Sequence, residues 1–213
     1  MTARPIIFVL AGVNGAGKSS IGGEAVARKG LGWFNPDTFT RKLAAESGLD
    51  LATANARAWA EGVRQLDQAV AGGLSHAFET TLGGWTIPAK LKAAARSHDV
   101  EIWFCGLASP DLHVARVKVR VANGGHDIPE AKIRERYTRA LGNLIDLMPH
   151  LSYFRAYDNS ATVLPGMPVP DPFLVLETHG PRVVYPTDAE SLKITPDWAG
   201  PIVEAALQMA ERG

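Results

Sequence analysis

The feature that most constrains this chain is a glycine-rich stretch, "AGVNGAGKSS" at residues 11–20, directly after the apolar run "PIIFVL". It contains the pattern G-x-x-x-x-G-K-[ST], in which glycines let backbone N–H groups converge on phosphate oxygens at the start of a helix. Lys18 adds a charge for the β and γ phosphates, and the Ser19 hydroxyl is suited to bind Mg²⁺. The stretch predicts a nucleotide site formed by Gly12, Asn14, Gly15, Ala16, Gly17, Lys18, Ser19 and Ser20.

Short apolar runs alternate with helical patterns along most of the chain. Strands are expected at 5–11, 31–35, 75–81, 100–107 and 152–160, and helices at 18–29, 37–47, 51–71, 87–97, 109–122 and 130–147. This alternation predicts an α/β P-loop NTPase fold, with a five-stranded, mostly parallel sheet and helices on both faces. We expect a single domain over 1–213 that ends in a β-hairpin and a helix at about 173–211.

Composition argues against several classes of protein. The 213 residues include 22 basic and 22 acidic side chains, and this zero net charge does not favour general binding to nucleic acid or a membrane surface. No stretch of about 20 apolar residues is present, so we expect no membrane span. The apolar run before the loop is too short for a signal peptide, and we expect a cytoplasmic protein. The single cysteine, Cys105, is expected to be an inert core thiol.

Two acidic residues follow expected strands at the sheet edge where α/β proteins bind ligands. A phosphotransferase needs an acceptor hydroxyl held in line, a carboxylate that takes its proton, and cations around the transferred group. Asp37 is our first candidate for that carboxylate, and helix N-cap is its alternative role. Glu79 and Thr80 are candidates to hydrogen-bond the acceptor, and an exposed strand end is their alternative.

A basic segment at 115–141 is the candidate source of cations. Arg116 and Arg120 lie four residues apart on one expected helix, and three further arginines follow on the next helix, after Gly124 and Gly125. Two basic helices joined at glycines are typical of a lid that closes over phosphates and excludes water. The alternative is a solvent-exposed face whose arginines pair with neighbouring glutamates.

Several motifs together resemble the zeta-toxin-like P-loop kinases. They are "AGVNGAGKSS", "FNPD", "FETT", "GGHDIPEAKIRERYTRAL" and "YDNS", in that order between residues 5 and 160. The combination of "FETT" with "GGHDIP" is the most specific part, since many enzymes share the phosphate loop. The resemblance implies an adenylate-kinase-like fold and ATP with Mg²⁺ as phosphoryl donor. It also implies a nucleotide sugar, UDP-N-acetylglucosamine, as the acceptor that is phosphorylated on a sugar hydroxyl.

The resemblance also implies roles for individual residues and for a partner. The catalytic base maps onto Asp37, the acceptor-binding residues onto Glu79, Thr80 and Thr81, and the phosphate-clamping arginines onto Arg120 and Arg136. A toxin role would require an antitoxin-type protein partner. The chain departs from the family pattern at Pro36, where a small residue such as alanine is expected, and after Pro165, where nothing matches.

Two other functions remain open from the residues alone. One is a kinase with a different acceptor, such as a nucleoside, an antibiotic or another sugar nucleotide. The other is a nucleotide-dependent ATPase or switch that binds a protein partner. The kinase is favoured because the fourth expected strand ends "CGLAS", without the acid that ATP-driven machines usually carry there.

Overall fold

The computed structural model describes residues 3–19, 21–22, 31–163 and 170–212. Its strands are β1 (Ile6–Ala11), β2 (Trp33–Phe34), β3 (His76–Thr80), β4 (Asp99–Gly106), β5 (Tyr153–Asp158), β6 (Phe173–His179) and β7 (Arg182–Tyr185). We number its helices α1 (Pro36–Ser47), α2 (Leu51–Gly72), α3 (Thr86–Ala94), α4 (Pro110–Ala122), α5 (Glu130–Leu147), α6 (Ala189–Lys193) and α7 (Gly200–Arg212). Most of the helix expected at 18–29 lies outside the described residues.

The strands form one mixed sheet in the order β2-β3-β1-β4-β5-β6-β7. The first five are parallel, as predicted, and β6 runs antiparallel to β5. The sheet has seven strands rather than the expected five because the predicted C-terminal hairpin, which was not counted in the sheet, pairs along the free edge of β5. Joining the hairpin to this edge satisfies backbone groups that would otherwise be exposed.

The central strand β1 divides the core into two faces. Ile7, Val9 and Ala11 belong to the main apolar cluster, which side chains from α2, α3, α5 and α7 complete. Phe8 and Leu10 alternate with them and pack in smaller clusters on the other face. This two-sided burial fixes the end of β1, and therefore the start of the phosphate loop. In the described ranges, no helix is long and apolar enough to cross a membrane.

The C-terminal segment is anchored to the sheet through Trp198. Its ring packs directly on Gly106 at the end of β4, and its Nε1–H donates to Asp158 Oδ1 at the end of β5 over 2.9 Å. Trp198 is almost fully buried, in contact with Phe104. The absence of a side chain at position 106 therefore makes the space that this indole occupies.

We predict that Gly106→Ala lowers the free energy of unfolding by about 1–3 kcal/mol, because the added methyl group would overlap the Trp198 ring. Urea unfolding measures the effect. Gly142→Ala is the matched control, since its methyl group would meet no atom within 4 Å. In the interior of α5, that control should stabilise by about 0.5–1 kcal/mol. Equal effects of the two substitutions would show that the Trp198 contact does not limit stability.

Candidate active site

The phosphate loop leaves the end of β1 with its backbone pressed against two neighbouring elements. Gly12 and Gly15 have φ values of 148° and 83°, which side chains of L-residues rarely adopt. A methyl group on Gly12 would overlap the Cys105 carbonyl oxygen of β4, and one on Gly15 would lie 2.7 Å from the His113 carbonyl oxygen of α4. Only glycine fits at these two positions, as the loop motif requires.

Buried polar groups hold the loop from beneath. His113 Nδ1 lies 2.9 Å from the Asn14 carbonyl oxygen, and Asn159 Nδ2 donates to the Ala16 carbonyl oxygen over 2.8 Å. The Cys105 thiol donates to the same Ala16 carbonyl. Burial raises the pKa of Cys105 to about 12, so the thiol remains protonated at neutral pH. The structure thus puts the Asn159 side chain under the loop.

The His113 ring is neutral in the folded protein. A carbonyl oxygen only accepts hydrogen bonds, so Nδ1 carries the proton that is donated to Asn14. Burial lowers the pKa of His113 to about 4, against the opposing effect of this hydrogen bond, and the cations Lys18 and Arg116 lower it further. A neutral ring thus supports the loop without adding charge beneath it.

Lys18 is held by the loop and by the neighbouring strand. Its Nζ donates to the Gly12 carbonyl oxygen over 2.8 Å and lies 3.2 Å from Glu79 Oε1 at the end of β3. The other Glu79 oxygen accepts from Asn35 Nδ2 over 2.8 Å. The two paired side chains are only 10% and 17% exposed. This chain of contacts connects the phosphate loop to the residue before α1.

Asp37 lies in the first turn of α1, but it does not cap the helix. Asn35 is the N-cap, because its side-chain oxygen accepts from Thr38 N over 3.0 Å and Pro36 occupies the first helical position. The N-cap alternative for Asp37 is therefore wrong. The Asp37 side chain is half-buried and lines the cavity described next.

An open cavity of about 370 Å³ brings most of the predicted residues together. One wall is formed by the loop and the β3 end, and the other by α1, α2 and the start of α5. Predicted residues that line it are Asn14, Lys18, Asp37, Glu79, Thr80, Thr81 and Arg136, and His126 lines it as well. The predicted loop glycines, Ala16 and Ser19 are not among the residues that line it, and Ser20 lies outside the described residues.

The two predicted arginines are placed differently. Arg136 Nη1 donates to Asn14 Oδ1 over 2.8 Å, so this guanidinium touches the phosphate loop from α5. Burial lowers the pKa of Arg136, and Asp37 and Glu135 oppose that shift. Arg120 instead donates to the His126 carbonyl oxygen over 3.2 Å and is not among the described residues that line the cavity. The clamp role predicted for Arg120 stays a prediction.

Arg116 was predicted only as one cation of the basic segment at 115–141, and Asn143 was not predicted as a site residue. The Arg116 side chain packs beside Gly15, and its Nη2 donates to the Ala161 carbonyl oxygen over 3.0 Å. The spacing of Arg116 and Arg120 put both on one helix face, but only the rotation of α4 decides which one meets the loop. Asn143 of α5 is buried, and a lone asparagine in an apolar helix pattern gives no signal of function.

Asn143 supports the turn that carries Thr80 and Thr81. Its Nδ2 donates to the carbonyl oxygens of Leu82 and Gly84 over 2.6 and 2.9 Å. The Thr80 and Thr81 hydroxyls accept from the backbone N–H groups two residues further on, at 3.2 and 3.3 Å. Leu82 has a φ of 52°, a strained value for a branched residue that the surrounding contacts must stabilise.

Ser19 fits the magnesium role that its motif predicts. Its side chain is exposed directly after Lys18, and the carboxylates of Asp37 and Glu79 line the adjoining cavity. Mg²⁺ prefers oxygen ligands and keeps several waters, with one or two protein groups and the substrate phosphates completing its shell. The described ranges contain no cluster of three or more His, Cys, Asp or Glu side chains arranged to hold a metal. A metal shared with nucleotide phosphates does not need one.

Comparisons with known proteins identify the fold. No protein-family model and no curated protein sequence matches the chain. A chain of the AvrRxo1-ORF1:-ORF2 complex is 16% identical, with a TM-score of 0.65 over 98% of this chain and 76% of that one. In the same complex with ATP, the values are 18%, 0.60, 92% and 65%. A chain of the PezAT toxin-antitoxin system of Streptococcus pneumoniae is 14% identical, with a TM-score of 0.57 over 100% and 85%. The predicted α/β P-loop kinase fold is confirmed, and so is the resemblance to zeta-type toxins as a likeness of fold.

We predict that His113 makes stability depend on pH. Its pKa is lower in the folded protein than the ordinary 6.5, so the unfolded chain binds more protons between about pH 6.5 and 4. The contribution of the neutral ring to the free energy of unfolding is fully present above pH 6.5. As the pH falls, this contribution decreases by about 3 kcal/mol in total. Denaturant titrations of wild type and His113→Asn should therefore show a stability difference that narrows on acidification.

The control for that experiment is Gly142→Ala, which neither adds nor removes a titratable group. Its stability difference from wild type should stay constant over the same pH range. A His113→Asn difference that is equally constant would mean that the ring titrates alike in folded and unfolded chains.

Proposed function

We propose that this protein is an ATP-dependent kinase that transfers the γ-phosphate to a sugar hydroxyl, on a UDP-sugar such as UDP-N-acetylglucosamine. The observation that carries the proposal is the shared cavity of about 370 Å³, in which Lys18 of the phosphate loop faces the carboxylates of Asp37 and Glu79. A site built for phosphoryl transfer needs a phosphate cradle and a proton acceptor on two sides of one space.

The donor side of the reaction belongs to the loop. The backbone amides of residues 14–19 and the Lys18 ammonium group would hold the β and γ phosphates. Magnesium, held by Ser19, would neutralise charge on the phosphates when it is bound. Arg136, already in contact with Asn14 of the loop, would stabilise the charge that spreads over the transferred group.

The acceptor side belongs to Asp37 and the end of β3. An Asp37 carboxylate oxygen takes the proton of the acceptor hydroxyl while the hydroxyl oxygen forms its bond to the γ-phosphorus, and the bond between the γ-phosphorus and the β-γ bridging oxygen breaks. Glu79, Thr80 and Thr81 would orient the acceptor by hydrogen bonds. ADP leaves with the electron pair of the broken bond.

The proposal includes the lid predicted at about 115–141, within one domain. Helices α4 and α5 are joined by a connection that contains Gly124, whose φ is 84°. We propose that closure of this lid moves Arg120 toward the phosphates and excludes water, so that ATP is not hydrolysed without an acceptor.

The acceptor class comes from the motif resemblance alone. The chains of the AvrRxo1-ORF1:-ORF2 complex and of the PezAT system share the fold of this chain, and that likeness does not identify an acceptor. The PezAT chain belongs to a toxin-antitoxin system. On that basis we include an antitoxin-type protein partner in the proposal. The alternative, a nucleotide-dependent switch, would hydrolyse ATP without any acceptor.

The deciding experiment is transfer of labelled phosphate from ATP to UDP-N-acetylglucosamine, run beside a mixed pool of sugar nucleotides. Labelled sugar nucleotide is the expected product. Acceptor-independent hydrolysis with no labelled product would contradict the kinase and favour the switch. Label on a different member of the pool would keep the kinase and replace the acceptor.

We predict that Asp37→Asn lowers kcat for transfer by about 10²- to 10⁴-fold, because the amide cannot take the hydroxyl proton. Its ATP affinity should stay close to that of wild type, as measured by calorimetry. Asp127→Asn is the matched control, since Asp127 lines the same cavity and its bond to Ile128 N needs only an accepting oxygen. If both variants transferred phosphate at the wild-type rate, Asp37 would not be the base.

We predict that Lys18→Ala weakens ATP binding as well as transfer, because the ammonium group contacts the phosphates in the ground state too. Calorimetric titration with ATP measures this directly. An unchanged dissociation constant would mean that the loop is not the nucleotide site.

A further inference from the structure

Asn35, between β2 and α1, borders the candidate site without lining it. The parallel pairing of β2 with β3 sets Phe34 beside Phe78. The next residues along the two strands, Asn35 and Glu79, are joined by their side chains. Asn35 is not among the described residues that line the cavity of about 370 Å³, although the residues directly before and after it are. Any role of Asn35 in the reaction must therefore pass through its neighbours.

The Asn35 amide uses both of its ends. Its oxygen accepts from the Thr38 backbone N–H over 3.0 Å, and this bond caps α1. Its Nδ2 donates to Glu79 Oε2 over 2.8 Å. A backbone N–H only donates and a carboxylate only accepts, so these two partners determine which end of the amide faces each of them. An aspartate or a serine would also cap the helix, but aspartate has no hydrogen to donate and serine is one atom shorter.

The backbone between Asn35 and Asp37 is stiffened in three ways. Pro36 occupies the first helical position, where its ring fixes φ and needs no N–H partner. A proline also restricts the residue before it to extended backbone, and Asn35 has a φ of −113° and a ψ of 112°. Phe34 before the cap contacts Phe39 in the first turn, with ring centres 5.6 Å apart, as in a hydrophobic staple. Pro36, at which this chain departs from the zeta-toxin-like pattern, thus stiffens the turn that carries Asp37.

The bond from Asn35 to Glu79 connects this stiff turn to the phosphate loop. The other carboxylate oxygen of Glu79 lies 3.2 Å from Lys18 Nζ, and both of these side chains are largely shielded from water. The position of the loop is therefore transmitted through Glu79 to the start of α1. Reacting groups that are misplaced by about 1 Å can lower a rate by about 10²-fold, so such a link has consequences for chemistry.

We propose that Asn35 is a positioning residue, which holds the Asp37 carboxylate at a set distance from the phosphate loop through its hydrogen bond to Glu79. This inference rests on the proposed function for the roles of Asp37 and the loop. Asn35 itself contacts neither the phosphoryl donor nor the acceptor. Its replacement should lower the rate of transfer and leave the affinity for ATP unchanged.

The test is Asn35→Ser, which keeps an N-cap residue and removes the donor to Glu79. In the labelled-phosphate assay, kcat should fall by about 10- to 100-fold because the base is no longer held in place. The dissociation constant for ATP, measured by calorimetry, should stay close to that of wild type. Asp50→Ser is the matched control, since it makes a similar exchange at the N-cap of α2, outside the cavity. The control should transfer phosphate at the wild-type rate.

A double-mutant cycle separates positioning from helix capping. If Asn35 acts through Glu79, Asn35→Ser should lower kcat no further when Glu79→Ala is already present. A loss of capping alone would lower kcat equally in both backgrounds. The urea midpoints of the same four proteins form a second cycle, which needs no acceptor. The decrease in midpoint caused by Asn35→Ser should likewise disappear in the Glu79→Ala background.

A wild-type kcat in Asn35→Ser would overturn the proposal, and so would additive effects of the two substitutions in either cycle. A wild-type protein that labels no sugar nucleotide would instead contradict the proposed function. The urea cycle would then still decide about Asn35, because non-additive midpoints would uphold its link to Glu79 and additive midpoints would refute it.

Discussion

The ion pair between Lys18 and Glu79 is the contact on which the arrangement of the candidate site depends. It joins the phosphate loop after β1 to the end of β3, and Asn35 extends it to the start of α1. Because both partners are largely shielded from water, their attraction is stronger than that of a surface pair. Asp37 lies two residues beyond Asn35, so the same chain of contacts sets its distance from the phosphate loop.

Neutral groups support the loop on its buried side, and charged groups face the cavity. His113 and Asn159 donate to loop carbonyls from below, and burial keeps His113 uncharged. A protonated ring there would compete with Lys18 for the phosphates that the loop is proposed to bind. The loop can thus direct its amides and its single lysine toward an anion, with no charge on the His113 ring beneath it.

The strands, the helices and the phosphate loop were predictable because each rests on local pattern. A continuous apolar run located β1, and the glycine positions located the loop that follows it. The pairing of the C-terminal hairpin with β5 was not predictable, because register between distant segments leaves no local signal. The sequence also could not show which of Arg116 and Arg120 meets the phosphate loop. That depends on the rotation of α4, which is set by packing against distant segments. The N-cap at Asn35 was missed because asparagine and aspartate compete for that position, and only the start at Pro36 decides between them.

The strained turn after β3 shows why helix α5 belongs to the site. Leu82 keeps a positive φ because Asn143 binds the carbonyl groups around it and Gly83 leaves room for Arg136. The helix that carries Arg136 to the loop thus also holds the turn that carries Thr80 and Thr81. Movement of α5 would displace the cation and the acceptor contacts together. If the proposed kinase reaction holds, this one helix would couple closing of the site to the alignment of ATP and the acceptor.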